Sequence, residues 1–252
     1  MALEERLKFA EMKARHQGAL RPWYKKWWGA LILLILGLLL IFLVVAGLYL
    51  NDKIKQILAE REQNFSQQQQ QGYLSAVNGN GDNHYLGTAK PQVTIIEFGD
   101  FACSVCRQSS AGFRAMAEKY GDQVKMVWRD YPVVSQHSII LALAARCAGD
   151  QDKFWEFHDR LFADQADFAG APSDEAFGEL LDALAAELKM DVIKFDDCLN
   201  QQTYIKQINR DYTDGGFLEI IGTPTWFVND YYKITGALSE EKLEELITGL
   251  LK

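Results

Sequence analysis

A run of 22 residues without a charge, GALILLILGLLLIFLVVAGLYL from Gly29 to Leu50, narrows most sharply what this chain can become. As a helix rising 1.5 Å per residue it reaches about 33 Å, enough to cross a hydrocarbon layer of about 30 Å. A core helix of a globular domain keeps a polar stripe, and this run has none. A cleaved signal peptide has a short basic start and an apolar run of about 7–15 residues ending in small residues. Here 28 residues come first, and Leu48-Tyr49-Leu50 makes a poor cleavage site, so an uncleaved anchor is expected. Lys13, Arg15, Arg21, Lys25 and Lys26 precede the span with no acid after Glu11, whereas Asp52, Lys53, Lys55 and Glu60 mix on the far side. The positive-inside rule then puts residues 1–28 in the cytoplasm, residues 29–50 in the membrane, and everything after Asn51 outside. Trp23, Tyr24, Trp27 and Trp28 suit the headgroup layer on the inner side, and Tyr49 the outer one.

The charge divides along the same line. Residues 1–28 hold seven Lys and Arg against three acids, and the remainder holds 19 against 31. With an acidic exported part and no basic stripe, nucleic acid is excluded as a partner. Residues 51–87 read as a stalk and linker. Ile54, Ile57, Leu58 and Phe65 give a weak helical stripe, Gln67 to Gln71 is a low-complexity stretch, and Asn78-Gly79-Asn80-Gly81-Asp82-Asn83 reads as flexible.

A folded domain is expected over residues 88–252. Val93 to Phe98 is a β-branched run of the kind found in buried strands, broken by Gly99-Asp100. A helical pattern follows from about Cys103 to Tyr120, then a strand over Gln123 to Arg129 and a helix-rich stretch over about residues 135–215. Two more strands, Thr225 to Val228 and Tyr231 to Thr235, meet at an Asn229-Asp230 turn. Ser239 caps a last helix running to Leu251. The order is βαβ, several helices, then ββα: an α/β domain with a helical insertion.

Cys103-Ser104-Val105-Cys106 falls between the first strand and its helix. Free N–H groups and the dipole at a helix start favour an anion, so a thiolate at Cys103 is stabilised. Cys106 lies one turn on, on the same face, within reach to close a disulfide. Three other readings of the pair stand beside the redox one. With Cys147 and Cys198 it makes up four thiolates for zinc, although these two are far apart rather than a second close-spaced knuckle. It is also compatible with a purely structural disulfide or with inert core thiols.

Several segments in this order resemble the DsbA-like branch of the thioredoxin superfamily: VTIIEFGDFACSVC (Val93–Cys106), VKMVWRDYPV (Val124–Val133), DKFWEFHDRLF (Asp152–Phe162), GTPTWFV (Gly222–Val228) and the closing ITGALSEEKLEELI. The resemblance runs from about Tyr85 to the C-terminus. It implies a thioredoxin-like α/β fold, with a four- or five-stranded sheet and a helical domain inserted between its halves. It also implies that Cys103 is the nucleophile, Cys106 the resolving thiol and Thr223-Pro224 a cis-proline loop that pairs with substrate backbone. Glu97 matches an acidic position near the buried cysteine, where it would exchange a proton with Cys106. Cys147 and Cys198 match positions that imply a structural disulfide. Ser104-Val105 departs from the Pro-His or Pro-Tyr pairing of strong oxidants in the family, which bears on the direction of reaction.

The function implied is disulfide formation in exported proteins that carry thiols, with re-oxidation by a quinone-linked membrane partner of the DsbB or VKOR type. The alternatives are a reductase or isomerase, and a non-catalytic metal- or client-binding module. No metal and no cofactor is expected. His84, His137 and His158 lie far from Cys103 in sequence and suit packing or surface roles, Asp100 and Phe101 suit the turn and rim of a groove, and Trp226 suits the core.

Overall fold

The computed structural model describes residues 3–16 and 26–251. Arg21, Trp23, Tyr24 and Lys25, which carry part of the topology expectation, lie outside the described residues, as does the side chain of Arg15. The chain divides into two units, residues 1–67 and 68–252. The first holds helix α1 (Leu3–His16) and most of helix α2 (Trp27–Asn78). Among the described residues, α2 is the one helix long and apolar enough to cross a membrane. Its apolar run carries no Pro to break it, and the Gln-rich segment beyond is built of good helix formers. The helix therefore continues well past Leu50, and Ile54, Ile57, Leu58 and Phe65 are exposed along it.

The linker expected over residues 51–87 is accordingly revised at its far end. Ala76 and Val77, in the last turn of α2, are buried in the second unit, and Tyr85–Gly87 forms a strand, β1. Asn83 is buried too. The physical reason is satisfaction of backbone groups: the closing carbonyls of α2 have no helical partners, and the Arg129 guanidinium donates to Ala76 O at 2.9 Å and Val77 O at 3.0 Å.

Strands β2 (Val93–Gly99), β3 (Val124–Asp130), β4 (Thr225–Val228) and β5 (Tyr232–Thr235) complete a sheet of order β1-β3-β2-β4-β5. β2 and β3 are parallel, joined by the crossover helix α3 (Ser104–Tyr120), and the other pairs are antiparallel. At the β4–β5 turn Asn229 and Asp230 both adopt positive φ, 47° and 67°, the conformation a two-residue hairpin needs even without glycine. Six helices, α4 (Ser138–Gly149), α5 (Phe154–Ala163), α6 (Gln165–Ala169), α7 (Asp174–Glu187), α8 (Val192–Asn200) and α9 (Ile205–Phe217), fill the insertion. Helix α10 (Glu240–Leu250), capped by the Ser239 hydroxyl, closes the chain.

Strand alternation sorts the core into two faces. Val93 and Ile95 of β2, with Met126, Trp226 and Val228, pack against Phe113 and Met116 of α3 and Leu243 and Ile247 of α10. Ile96 and Phe98 point the other way, with Val127 and Phe227, onto Ala76, Val77, Leu218 and Ile220. Arg129 and Asp130 end β3 in a buried ionic network that the sequence reading missed. Arg129 pairs with Asp211 at 2.7 Å and Asp214 at 2.6 Å, and Arg146 reaches Asp130 at 2.5 Å and Asp211 at 2.7 Å. Burial pushes Asp211 up to about 6 despite both arginines. Stripping one partner from such a network leaves a buried charge uncompensated and costs roughly 3–5 kcal/mol.

Candidate active site

β2 ends at Gly99, where a Cβ would overlap the Trp128 indole, so only glycine fits. The next residue, Asp100, is buried, and its carboxylate accepts from the amides of Ala102 at 2.8 Å, Val133 at 2.7 Å and Val134 at 2.8 Å. This clamp ties the turn before α3 to the segment after β3. Phe101 packs on Trp128 and Phe162 with ring centroids 4.8 and 5.3 Å apart, and the Gln165 amide donates to its carbonyl at 2.8 Å. Asp100 and Phe101 thus fix where Cys103 sits.

Cys103 is the N-cap of α3, one residue outside the helix that the sequence pattern began with it, and its backbone is extended (φ −83°, ψ 117°). Its sulfur accepts from the Cys106 amide at 3.4 Å, one of the free donors at the helix start. As a thiol it donates to the Thr223 carbonyl at 3.3 Å. Cys103 is 5% exposed and Cys106 fully buried, and both sulfurs are free.

Their environments drive the two thiols apart. The Cys106 thiol hydrogen-bonds to the Cys103 sulfur and is the largest cause lowering Cys103 from 9.0 to about 6; burial opposes it, and the Thr223 side chain and the Cys106 and Val105 amides reinforce it. The Thr223 hydroxyl is buried with no hydrogen-bond partner, so its proton is available to a thiolate at Cys103. Cys106 moves far upward, first from burial, then from its bond to Cys103 and from the charges of Glu97 and Cys103. The split favours the anion at Cys103 and the protonated thiol at Cys106 at neutral pH, a division that suits Cys103 for nucleophilic attack.

Glu97 sits in register with Trp128 on β3 and Trp226 on β4, so its carboxyl is held on the α3 face between two buried indoles. Its Oε1 has no partner. Burial, then the Cys103 charge, raises it well above the usual carboxylate range. On the other side of Cys103 the Thr223–Pro224 peptide bond is cis. The loop leading to it is held from behind: Tyr131 donates its hydroxyl to Ile220 O at 3.2 Å, and Lys233 Nζ donates to Leu218 O at 2.8 Å and Glu219 O at 2.7 Å. Sequence reading singled out neither residue, because both act through backbone carbonyls of a distant segment.

Cys147 and Cys198 lie away from this pair, in α4 and α8, joined as a disulfide with Cα atoms 5.8 Å apart. His158 is fully buried among Phe101, Trp128 and Phe162, with Nδ1 2.9 Å from Asp159. His84 stacks on Phe154 and is lowered to about 4 by burial and then by Arg146, while His137 precedes α4 and stacks on Phe177. Trp226 is core, its indole N–H donating to Gly236 O at 2.9 Å. Among the described residues no group of three or more His, Cys, Asp or Glu is arranged to hold a metal.

A thioredoxin family model matches residues 79–248. Among solved structures, oxidised BdbD from Bacillus subtilis is 27% identical with a TM-score of 0.58, covering 67% of this chain and 92% of that one. The thiol-disulfide exchange protein alpha-DsbA2 from Wolbachia pipientis is 21% identical with a TM-score of 0.61, covering 75% and 98%. Among curated proteins, Na(+)/H(+) antiporter NhaA 1 of Salinispora arenicola is 33% identical over 169 residues, 66% of this chain and 24% of that protein. Antiporter NhaA 3 of Salinispora tropica is 32% identical over 58% of this chain and 22% of its own length. This chain thus spans about a quarter of the length of the curated relatives it matches. A stretch covering 66% of the chain necessarily includes Cys103 and Cys106. With the match across residues 79–248 and a sheet, insertion and cysteine placement of this kind, the chain belongs to the thioredoxin family and carries the fold of its DsbA-like thiol–disulfide oxidoreductases.

Proposed function

We propose that the chain is a membrane-tethered thiol–disulfide oxidoreductase that introduces disulfides into exported proteins. The observation that carries this reading is the opposed character of the two thiols: Cys103 lowered to about 6 at a helix start, Cys106 buried and protonated beside it. In the oxidised form a client thiolate attacks Cys103 Sγ, the Cys103–Cys106 bond breaks, and Cys106 leaves as a thiolate that takes up a proton. Glu97, carrying a proton in its buried site, is the donor we assign. A second client thiolate then attacks the client sulfur of the mixed disulfide and expels Cys103, giving an oxidised client and a reduced pair. Thr223 and Pro224 present the backbone that aligns the client strand. The Cys147–Cys198 bridge takes no part and holds the insertion together.

The lowered Cys103 also sets direction. At pH 7 a shift from 9.0 to about 6 stabilises the reduced form by about 1.4 kcal/mol, about 30 mV toward oxidising power. That contribution is present above about pH 6 and fades as pH falls through it. Against it, Ser104-Val105 places no imidazole or cationic side chain between the thiols, which favours a weaker oxidant, or a reductase, as the second reading.

The span at residues 29–50 and the basic residues before it support a cytoplasmic N-terminus with the thioredoxin-like domain outside, where disulfides are made. Re-oxidation there needs an acceptor, for which we propose a quinone-linked membrane protein of the DsbB or VKOR type; tethering raises the effective concentration of the two. Antiport is not assigned to this chain, since the matched stretch is about a quarter of the relatives that bear that name. The test is the reduction potential of the Cys103–Cys106 pair in the full chain, equilibrated in glutathione buffers. A value toward about −120 mV supports the oxidase, and one near about −270 mV makes it a reductant.

A further inference from the structure

Beside the reactive cysteine lies a cavity of about 340 Å³ that the exchange mechanism does not use. Phe101 and Ala102, the two residues before Cys103, form one wall, and Leu141, Leu161, Phe168 and Phe177 of the insertion form the others. We propose that this cavity is the specificity pocket for the side chain flanking the client cysteine, and that it takes a large apolar residue such as Leu, Met or Phe; the proposal rests on the oxidoreductase reading.

Three observations point to that occupant. The first is reach. A client bonded to Cys103 Sγ extends at most about 3.3–3.6 Å per residue, so its neighbour one or two positions away spans the short step from Cys103 to Ala102. The second is lining. The walls are aromatic and aliphatic, while Ser135, Gln136 and His137 stand around them with polar atoms for the client's main chain. His137 is itself paired with Asp174 at 3.2 Å, so a client carboxylate entering here would lose water beside an acid. The third is rigidity. Gln165 holds the Phe101 carbonyl, and the Asp100 carboxylate holds the amides of Val133 and Val134, which lead directly into Ser135 of the wall. A pocket whose walls are tied in place costs little reorganisation on binding.

The test uses the full chain in nanodiscs and two sets of cysteine peptides, one varying the residue before the cysteine and one the residue after it. Mixed-disulfide formation is followed for Leu, Phe, Ala and Asp, with glutathione as a probe of Cys103 itself. In one of the two sets, Leu or Phe is expected to react at least about tenfold faster than Asp, the scale of one buried apolar side chain. Ala171→Trp, at a half-buried wall position, and Ala169→Phe, at an exposed one, narrow the cavity. Each is expected to reduce that preference below about twofold while glutathione exchange stays within twofold. Equal rates across both peptide sets, or a preference that survives both substitutions, would overturn the pocket while leaving the oxidoreductase intact. Absence of glutathione exchange in the unaltered chain would overturn the oxidoreductase reading itself, and the pocket with it.

Discussion

Two cysteine pairs sit in the same core cluster and have opposite fates. Cys147 is in the last turn of α4 and Cys198 is inside α8, positions where the helix offers no free N–H to a thiolate, and the two are joined. Cys103 occupies the start of α3, where free amides and the helix dipole favour an anion, and its sulfur is unbridged three residues from its partner. Burial alone does not distinguish them, for Cys147 is 1% and Cys103 5% exposed. On the proposed reading, what separates the exchanging pair from the bridged one is where each sulfur meets the backbone.

The sharpest way to break that contrast is to remove one pair at a time. Cys103→Ser is expected to lower client oxidation about a thousandfold or more, because the attacked sulfur is lost, with little change in thermal melting. Cys147→Ser with Cys198→Ser should reverse the pattern. Exchange stays within a few-fold, while opening a bridge of sequence separation 51 costs about 4 kcal/mol by chain entropy, roughly 10 °C in melting temperature. Loss of exchange in that double variant would show the second pair to be part of the reaction.

Glu97 sharpens the comparison further, since only the first pair has a buried carboxyl beside it. Burial raises Glu97 well above the usual range, so above about pH 4.5 the folded chain keeps a proton the unfolded chain has released. Stability therefore falls as pH rises through that window. Glu97→Gln should melt like the unaltered chain near pH 4 and higher than it at pH 8, while exchange slows about tenfold to a hundredfold for want of the proton donor. A variant with unchanged exchange rates would remove Glu97 from the mechanism. The smallest effect concerns the residues between the thiols. Val105→His adds a donor near Cys103 and should raise the reduction potential by about 30 mV, the equivalent of one tenfold change in thiolate stability; no change would show that position 105 does not reach the thiolate.

Much of this architecture was legible because it is local. The run Val93–Phe98 followed by Cys103 and a helical pattern specifies a strand, a turn and a helix start within fourteen residues, and Gly222-Thr223-Pro224 before a short apolar run marks the facing loop. What escaped depends on distant partners. β1 is three residues long and is stabilised by pairing with Val127, Met126 and Lys125 of β3 some forty residues on, so the stretch around it reads as linker. Arg129 looks like an ordinary strand-end cation until Ala76, Val77, Asp211 and Asp214 converge on it from two distant segments. Glu97 reads as a carboxylate at a strand end; only the register opposite Trp128 and Trp226 reveals the buried setting that raises its pKa.

The claim on which all of this turns is that Cys103, and not Cys106, is the anion at neutral pH. Its most direct test is the pH dependence of alkylation of the reduced full chain by iodoacetamide, with the modified residue identified by peptide mass. Labelling of Cys103 is expected with a midpoint near 6, with no labelling of Cys106 across the neutral range. A midpoint near 9.0, or equal labelling of the two thiols, would contradict it.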